Sequence, residues 1–439
     1  MTDNQQSAKP AIIVIFGITG DLSQRYLLPS LYHLVKDGLL HDKTEIIGVS
    51  RRPVTTEDLF EKVELCVNEV DKICDPVALK AMHDRTSMFQ MDLADPAAYA
   101  KLQTKLDGIE AEKGVCQDRI YYLSIPPQAY RPVVRLMGEQ GLNKSCQHGN
   151  AKSRLVVEKP FGLDLSSAQQ LIAETGQVFQ EEQVFRVDHY LAKQAVRTLP
   201  EFRAKNPDIE ALWNAHQISG ITIKAHEKIG IEGRAAFYEP LGALRDFLQS
   251  HMMQILGVVT MDLPEVLDSQ HIHAAKAGVM QQIEPVPADQ VLARAVRGQY
   301  EGYRQEVNNP TSNTETYIAL TLYIDSPRWQ GVPVELSTGK ALNERRAEII
   351  IDFHESAKLA NNQLRFEIQH SQAGQRNQPD AYEKVLADAI SGDHTLFASD
   401  KEVLASWQVL QPLVEAWQKS SDDLVIYAKG SSDPQAPGR

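Results

Sequence analysis

Apolar residues along this chain come in two rhythms, and the change between them follows Lys193. In the first rhythm short apolar runs recur: AIIVIF at Ala11–Phe16, then Glu45–Val49, Ser87–Met91, RIYYLSI at Arg119–Ile125 and RLVVEK at Arg154–Lys159. An unbroken run rich in β-branched residues suits a strand buried on both faces, and helical stretches between such runs predict a parallel sheet covered on both sides. The second rhythm is a partial alternation of apolar and polar positions, at Ile218–Glu227, Thr316–Asp325, Ala347–Glu355 and Leu364–His370. It predicts a large, mostly antiparallel sheet with one face covered. Helical stretches at Asp380–Ile390 and Lys401–Lys419 close the chain. The expected fold is therefore an α/β, Rossmann-like doubly wound domain over residues 1–187, then an α+β domain over 188–439.

Between the first strand and its helix lies GITGDL. Gly17 and Gly20 permit a tight turn, and the helix that follows, apolar at Leu27, Leu31, Leu34 and Val35, offers its N-terminus to a pyrophosphate. As a lone motif GxxGxxS equally describes a glycine turn with no ligand. The second strand ends in Ser50, Arg51 and Arg52. In a dinucleotide fold an acidic residue there binds the 2′-hydroxyl of NAD, whereas arginine favours the 2′-phosphate of NADP. Lys159, in EKPFG, falls at the carboxyl end of a strand, where open α/β sheets bind ligands.

Composition narrows the partners. A chain of 439 residues with 43% hydrophobic and 23% charged residues is an ordinary globular protein of about two domains, and a net charge of -13 argues against nucleic acid or an anionic membrane. A phosphate would need a local basic pocket. The four cysteines, Cys66, Cys74, Cys116 and Cys146, show no CxxC spacing and are too sparse for a disulfide framework, which suits a reducing cytoplasm. The polar leader and the lack of an apolar run near about 18 residues argue against secretion and membrane spanning.

The densest chemistry is FRVDHYLAK at Phe185–Lys193. His189, Tyr190 and Lys193 together suit an anion, while Asp188 can orient a histidine elsewhere; a capped helix start with Asp188 as N-cap accounts for the same residues. His251 shares the apolar face of a helix with Phe247, Leu248 and Ile255, the usual place of a core histidine. His271 and His273 form an HxH without a third ligand at suitable spacing. TGKALNERR at Thr338–Arg346 suits either an anion site or a solvated hairpin.

GITGDL, the arginine after the second strand, EKPFG, FRVDHYLAK, LWN, the Gly242–Gln254 helix, RGQY, TETY, RWQGVP, GKALNER and PDAYE occur in an order that resembles the glucose-6-phosphate dehydrogenase family, from about Ile12 to Trp417. The resemblance implies NADP over the turn of Gly17, Thr19, Gly20, Asp21 and Leu22, with Ser124 and Lys159 nearby and Arg51 on the 2′-phosphate. It implies His251 as the base that takes the proton from the C1 hydroxyl and Asp188 as its partner. The same resemblance places His189, Tyr190 and Lys193 on the 6-phosphate and Lys159, Glu227, Glu239, Lys340 and Arg345 around the sugar. No metal is implied, because NADP accepts the hydride.

Four departures stand out. Tyr26 falls where the family carries a lysine, Glu239 replaces an aspartate, Ser337 replaces an arginine, and Ser371–Pro379 is short where the family has some tens of residues. The first three can shift sugar specificity; the fourth bears on a homo-oligomer built through the C-terminal sheet. Besides the sugar-phosphate dehydrogenase, two alternatives follow: a paralogue for another sugar phosphate, and a catalytically silent relative that binds NADP or a partner.

Overall fold

The computed structural model describes residues 9–434, apart from 72–73, 145, 147–149, 360 and 369–380. The short segment 371–379 and the two chain ends therefore lie outside the described residues. The chain divides into two compact units: residues 1–159, 170–192 and 370–398 make the first, and 160–169, 193–369 and 399–439 the second.

In the first unit, β1 (Ala11–Phe16), β2 (Glu45–Ser50), β3 (Thr86–Gln90), β4 (Asp118–Leu123), β5 (Ser153–Val157) and β6 (Val184–Val187) are parallel, in the order 6-5-4-1-2-3. The two ends of the doubly wound sheet meet at β1 and β4, the point where strand order reverses and where such folds bind ligands. All six residues of β1 are buried, as an unbroken apolar run requires between two helical layers. Helices are punctuated by local chemistry. Asp95 accepts from Ala97 N to start the helix Pro96–Lys113, and Gly114, at φ 63°, ends it. A two-residue antiparallel strand from late in the chain, Phe397–Ala398, joins β6 at the sheet edge.

The second unit holds β7 (Ile218–His226), β8 (Ala295–Tyr300), β9 (Tyr317–Leu322), β10 (Val334–Gly339), β11 (Arg346–Phe353) and β12 (Gln363–Glu367). With Leu424–Tyr427 they form a sheet in the order 12-11-7-10-9-8 followed by that last strand. Four of its pairings are antiparallel, and β10 with β7 and Leu424–Tyr427 with β8 are parallel. Ala295–Tyr300, Val334–Gly339 and Leu424–Tyr427 escape the sequence reading. All three are short, the first two carry polar residues, and only the ladder fixes them as strands. Among the described residues no helix is long and apolar enough to cross a membrane.

The sequence expectation about cysteines needs one correction. Cys116 and Cys146 are paired as a disulfide, with Cα atoms 5.8 Å apart. The two cysteines lie 30 residues apart in the chain, ahead of the neighbouring parallel strands β4 and β5. Adjacency in the sheet brings them together, which spacing alone does not reveal.

A buried ion pair ties the second unit's helices. Lys276 and Glu402 are both fully buried, 3.0 Å apart, and His273 Nδ1 lies 2.7 Å from the same carboxylate. Burial alone would raise the Glu402 pKa, but the Lys276 ammonium and His273 override it and hold it at about 2. Because this lies below the unfolded value of 4.5, the stabilisation is complete above that pH and fades as pH falls toward 2. Lys276→Met is expected to cost about 3 kcal/mol in urea unfolding, by leaving the carboxylate without its cation. An unchanged unfolding midpoint would contradict this.

Candidate active site

In the first unit, the turn after β1 is built around Gly17, whose φ is +80°. A Cβ there would lie 2.2 Å from the Ser124 carbonyl oxygen, so only glycine lets the turn close against the end of β4. Gly17 N donates to Val49 O (3.1 Å) and Gly20 N to Gly17 O (2.9 Å), which hooks the turn to β2. The Ser23 hydroxyl contacts Gly17 O (3.1 Å) and Ser124 Oγ (2.9 Å). The following helix opens with a π-helical stretch, Ser23–Leu27, before Leu28–Lys36. Thr19 and Asp21 are exposed on the rim, Leu22 is half-buried, and Asp21 pairs at 3.7 Å with Arg25. At the end of β2, Ser50 Oγ accepts from Arg52 N (3.2 Å), and the Arg51 side chain is exposed. A backbone-lined cradle at the switch point beside an exposed guanidinium fits a dinucleotide with a 2′-phosphate.

The same unit gathers groups at the carboxyl ends of β5 and β6. The Glu158 carboxylate accepts from Tyr122 Oη at 2.5 Å, and its carbonyl accepts from Tyr130 Oη at 3.1 Å. Burial, aided by the negative charge of Asp188 and opposed by Lys159, pushes Glu158 up to about 7. Lys159 beside it is half-buried. Asp188 is 1% exposed, and its Oδ1 accepts from Tyr190 N at 3.0 Å, while its carbonyl accepts from Leu191 N at 3.0 Å. This local turn holds the carboxylate still. The His189 ring stacks on Tyr382, with centroids 6.0 Å apart, and Tyr26 packs on the same Tyr382 at 5.3 Å. Tyr382 arrives on the helix Ala381–Ser391, which His33 Nδ1 fastens through Glu383 at 2.5 Å.

In the second unit, His251 is 1% exposed on a π-helical stretch, Leu244–Met252, edge-on to Phe247 at 4.9 Å. π-helical turns are rare and concentrate at functional sites. Lys193 is half-buried at the start of the short helix Gln194–Arg197. The Lys340 ammonium pairs with Glu227 and lies 5.4 Å from the centre of the Tyr238 ring. The Glu239 carboxylate accepts from Tyr303 Oη (2.7 Å), Asn309 Nδ2 (2.9 Å) and Ser312 Oγ (3.1 Å), most of the roughly four positions a carboxylate offers. Arg345 is exposed, and its neighbour Arg346 pairs with Glu348 at 2.7 Å. Ser337 is buried with Oγ 3.0 Å from His226 Nε2, inside the sheet ladder.

The HxH separates into two structural roles: His271 closes on Asp268 at 2.7 Å, and His273 serves Glu402. Among the described residues no group of three or more His, Cys, Asp or Glu is placed to hold a metal ion. Sequence reasoning missed Glu158, Tyr122, Tyr382, Glu315 and Thr316. EKPFG, PDAYE and TETY had marked their neighbourhoods, but burial and partners were needed to separate them from ordinary strand and helix residues.

Comparison with known proteins extends over nearly the whole chain. Residues 14–198 match the family model described as glucose-6-phosphate dehydrogenase, NAD binding domain, and 200–369 and 355–438 match the glucose-6-phosphate dehydrogenase C-terminal domain. The glucose-6-phosphate 1-dehydrogenase of Chlamydia muridarum is 34% identical over 97% of this chain and 94% of its own. That of Bacillus subtilis is 34% identical over 99% and 97%. A solved glucose-6-phosphate dehydrogenase in complex with its substrate glucose-6-phosphate superposes with a TM-score of 0.87 at 29% identity, covering 99% of this chain and 97% of that one. The Mycobacterium avium glucose-6-phosphate 1-dehydrogenase does so at 0.82 and 31%, covering 97% and 96%.

Proposed function

The chain belongs to the glucose-6-phosphate dehydrogenase family, and from that premise we propose that it oxidises glucose 6-phosphate at C1 to the 6-phosphogluconolactone. The observation that carries the reading is the Gly17 turn, packed so closely against Ser124 at the switch point of the parallel sheet that no side chain fits there. Gly17, Thr19, Gly20, Asp21 and Leu22 hold NADP, with Ser124 and Lys159 beside them and Arg51 on its 2′-phosphate. NADP, when bound, supplies the hydride acceptor. The His251 imidazole takes the C1 hydroxyl proton, and Asp188 stabilises the imidazolium that results. His189, Tyr190 and Lys193 hold the 6-phosphate. Lys159, Glu227, Lys340 and Arg345 bind around the sugar, and Glu239 does so through the acceptor position its three donors leave.

In this reading residues 1–187 handle the cofactor and 188–439 the substrate, and the enzyme works in the cytoplasm, with the second sheet as the surface for self-association. NADPH absorbance with glucose 6-phosphate, free glucose and other hexose phosphates is the test. A second reading is favoured by Tyr26, which packs on the Tyr382 ring that His189 also stacks on. There the substrate is another sugar phosphate, and turnover of that sugar with none of glucose 6-phosphate identifies it. NADP binding without turnover of any sugar phosphate sinks both.

Cofactor choice gives a further expected result. Arg51→Glu is expected to weaken NADP binding by roughly tenfold to a hundredfold, through loss of a charge-assisted contact, and to raise the relative use of NAD. Titration of both cofactors by fluorescence checks it, and unchanged NADP affinity removes Arg51 from the site.

A further inference from the structure

Two neighbouring residues just ahead of β9, Glu315 and Thr316, reach in two directions within the second unit. Glu315 is buried, 6% exposed. Its carbonyl accepts from Ala243 N at 2.9 Å, and its Oε1 accepts from Leu244 N at 3.0 Å. These amides open the π-helical stretch that carries His251, and no side chain of that stretch's own N-cap serves them. Amides in the first turn of a helix need acceptors from elsewhere, and a π-helix holds its register less well than an α-helix. Gly242 makes the arrangement possible. At φ +64° it approaches so closely that a Cβ would lie 2.3 Å from Glu315 Oε1. Toward its other end, the stretch is held by Gln249, whose Nε2 donates to Ser406 Oγ at 2.8 Å.

Thr316 faces the other way. Its carbonyl accepts from Lys340 N at 2.9 Å. The Thr316 hydroxyl accepts from Tyr300 N (2.9 Å) and contacts Tyr427 Oη (2.9 Å), which in turn donates to Lys340 O at 2.7 Å. Both main-chain polar groups of Lys340 are thus fixed by one residue and its tyrosine partner. Burial of a carboxylate is costly, and it pushes the Glu315 pKa up. A carboxylate buried at such cost and bonded to the segment that carries His251, beside a threonine bonded to the main chain of Lys340, is placed for geometry.

We propose that Glu315 and Thr316 are positioning residues for the reaction, one fastening the helix of His251 and the other the strand end of Lys340. The inference rests on His251 as the base. Neither residue touches the reacting atoms. Each sets where a residue that does so is held, and small errors in that placement are costly to rate.

The test compares E315A, E315Q and H251N with the wild-type enzyme. It measures kcat and KM for glucose 6-phosphate, with NADP binding by fluorescence as the check that each variant is folded. E315A is expected to lose roughly a hundredfold in kcat with KM near wild type. E315Q, whose amide oxygen still accepts from Leu244 N, is expected to restore turnover. Wild-type kcat in E315A, a loss confined to KM, or equal loss in E315Q overturns the proposal. If E315A does not fold, E315D, one methylene short of Leu244 N, gives the same readout, and full turnover in it is equally fatal. Turnover by H251N would remove the base itself, whereas an inactive H251N beside a fully active E315A sinks only the positioning role.

Discussion

His251→Asn is expected to abolish turnover of glucose 6-phosphate, lowering kcat by roughly a thousandfold to ten-thousandfold, the range of a lost general base. Asparagine approximates the shape of the imidazole and keeps its hydrogen-bonding character, but it does not take up a proton near neutral pH. At 1% exposure the side chain has little water to substitute for the missing base. NADP affinity should be retained, because the residues assigned to the cofactor belong to the first unit and His251 to the second. Stopped-flow or steady-state NADPH absorbance, with cofactor titration alongside, reads both quantities. A kcat near wild type removes His251 from its role.

Gly17→Val should act on the opposite property. At φ +80° a β-branched side chain is strained, and its Cβ meets the Ser124 carbonyl oxygen at 2.2 Å. Backbone cannot yield there without breaking the Gly17 N to Val49 O bond that anchors the turn to β2. NADP binding is expected to weaken by roughly a thousandfold, about 4 kcal/mol, and turnover at ordinary NADP concentrations to vanish with it. Calorimetric titration of NADP checks this, and a dissociation constant within a fewfold of wild type would show that the turn does not carry the cofactor. The pair of variants separates binding from chemistry, since one spares what the other removes.

The parallel sheet was most legible at its central strand, which is buried on both faces, so that burial writes an unbroken apolar run at Ala11–Phe16. The antiparallel sheet was legible in part. Ile218–His226 and Arg346–Phe353 show in their patterns, whereas Val334–Gly339 has its place only through β7 and β9. GITGDL and FRVDHYLAK announced themselves by residue type. Glu158 and Glu315 did not, because a glutamate beside the end or the start of a strand looks solvated until its surroundings are known.

The sequence by itself therefore determined the class of fold, the family and the chemical inventory of the site: a glycine turn, an arginine after β2, the Asp-His-Tyr run and a histidine on an apolar helix. Those are properties of residue type and short spacing, and local conformational preference is enough to express them. Only the tertiary structure decided which polar groups are buried and who answers them. It paired Cys116 with Cys146 across adjacent strands, set Lys276 on Glu402, laid Tyr26 and His189 on Tyr382, and closed Glu315 over Gly242. The reason is physical: desolvation and hydrogen-bond geometry depend on atoms tens to hundreds of residues away in the chain, and no local pattern encodes that distance.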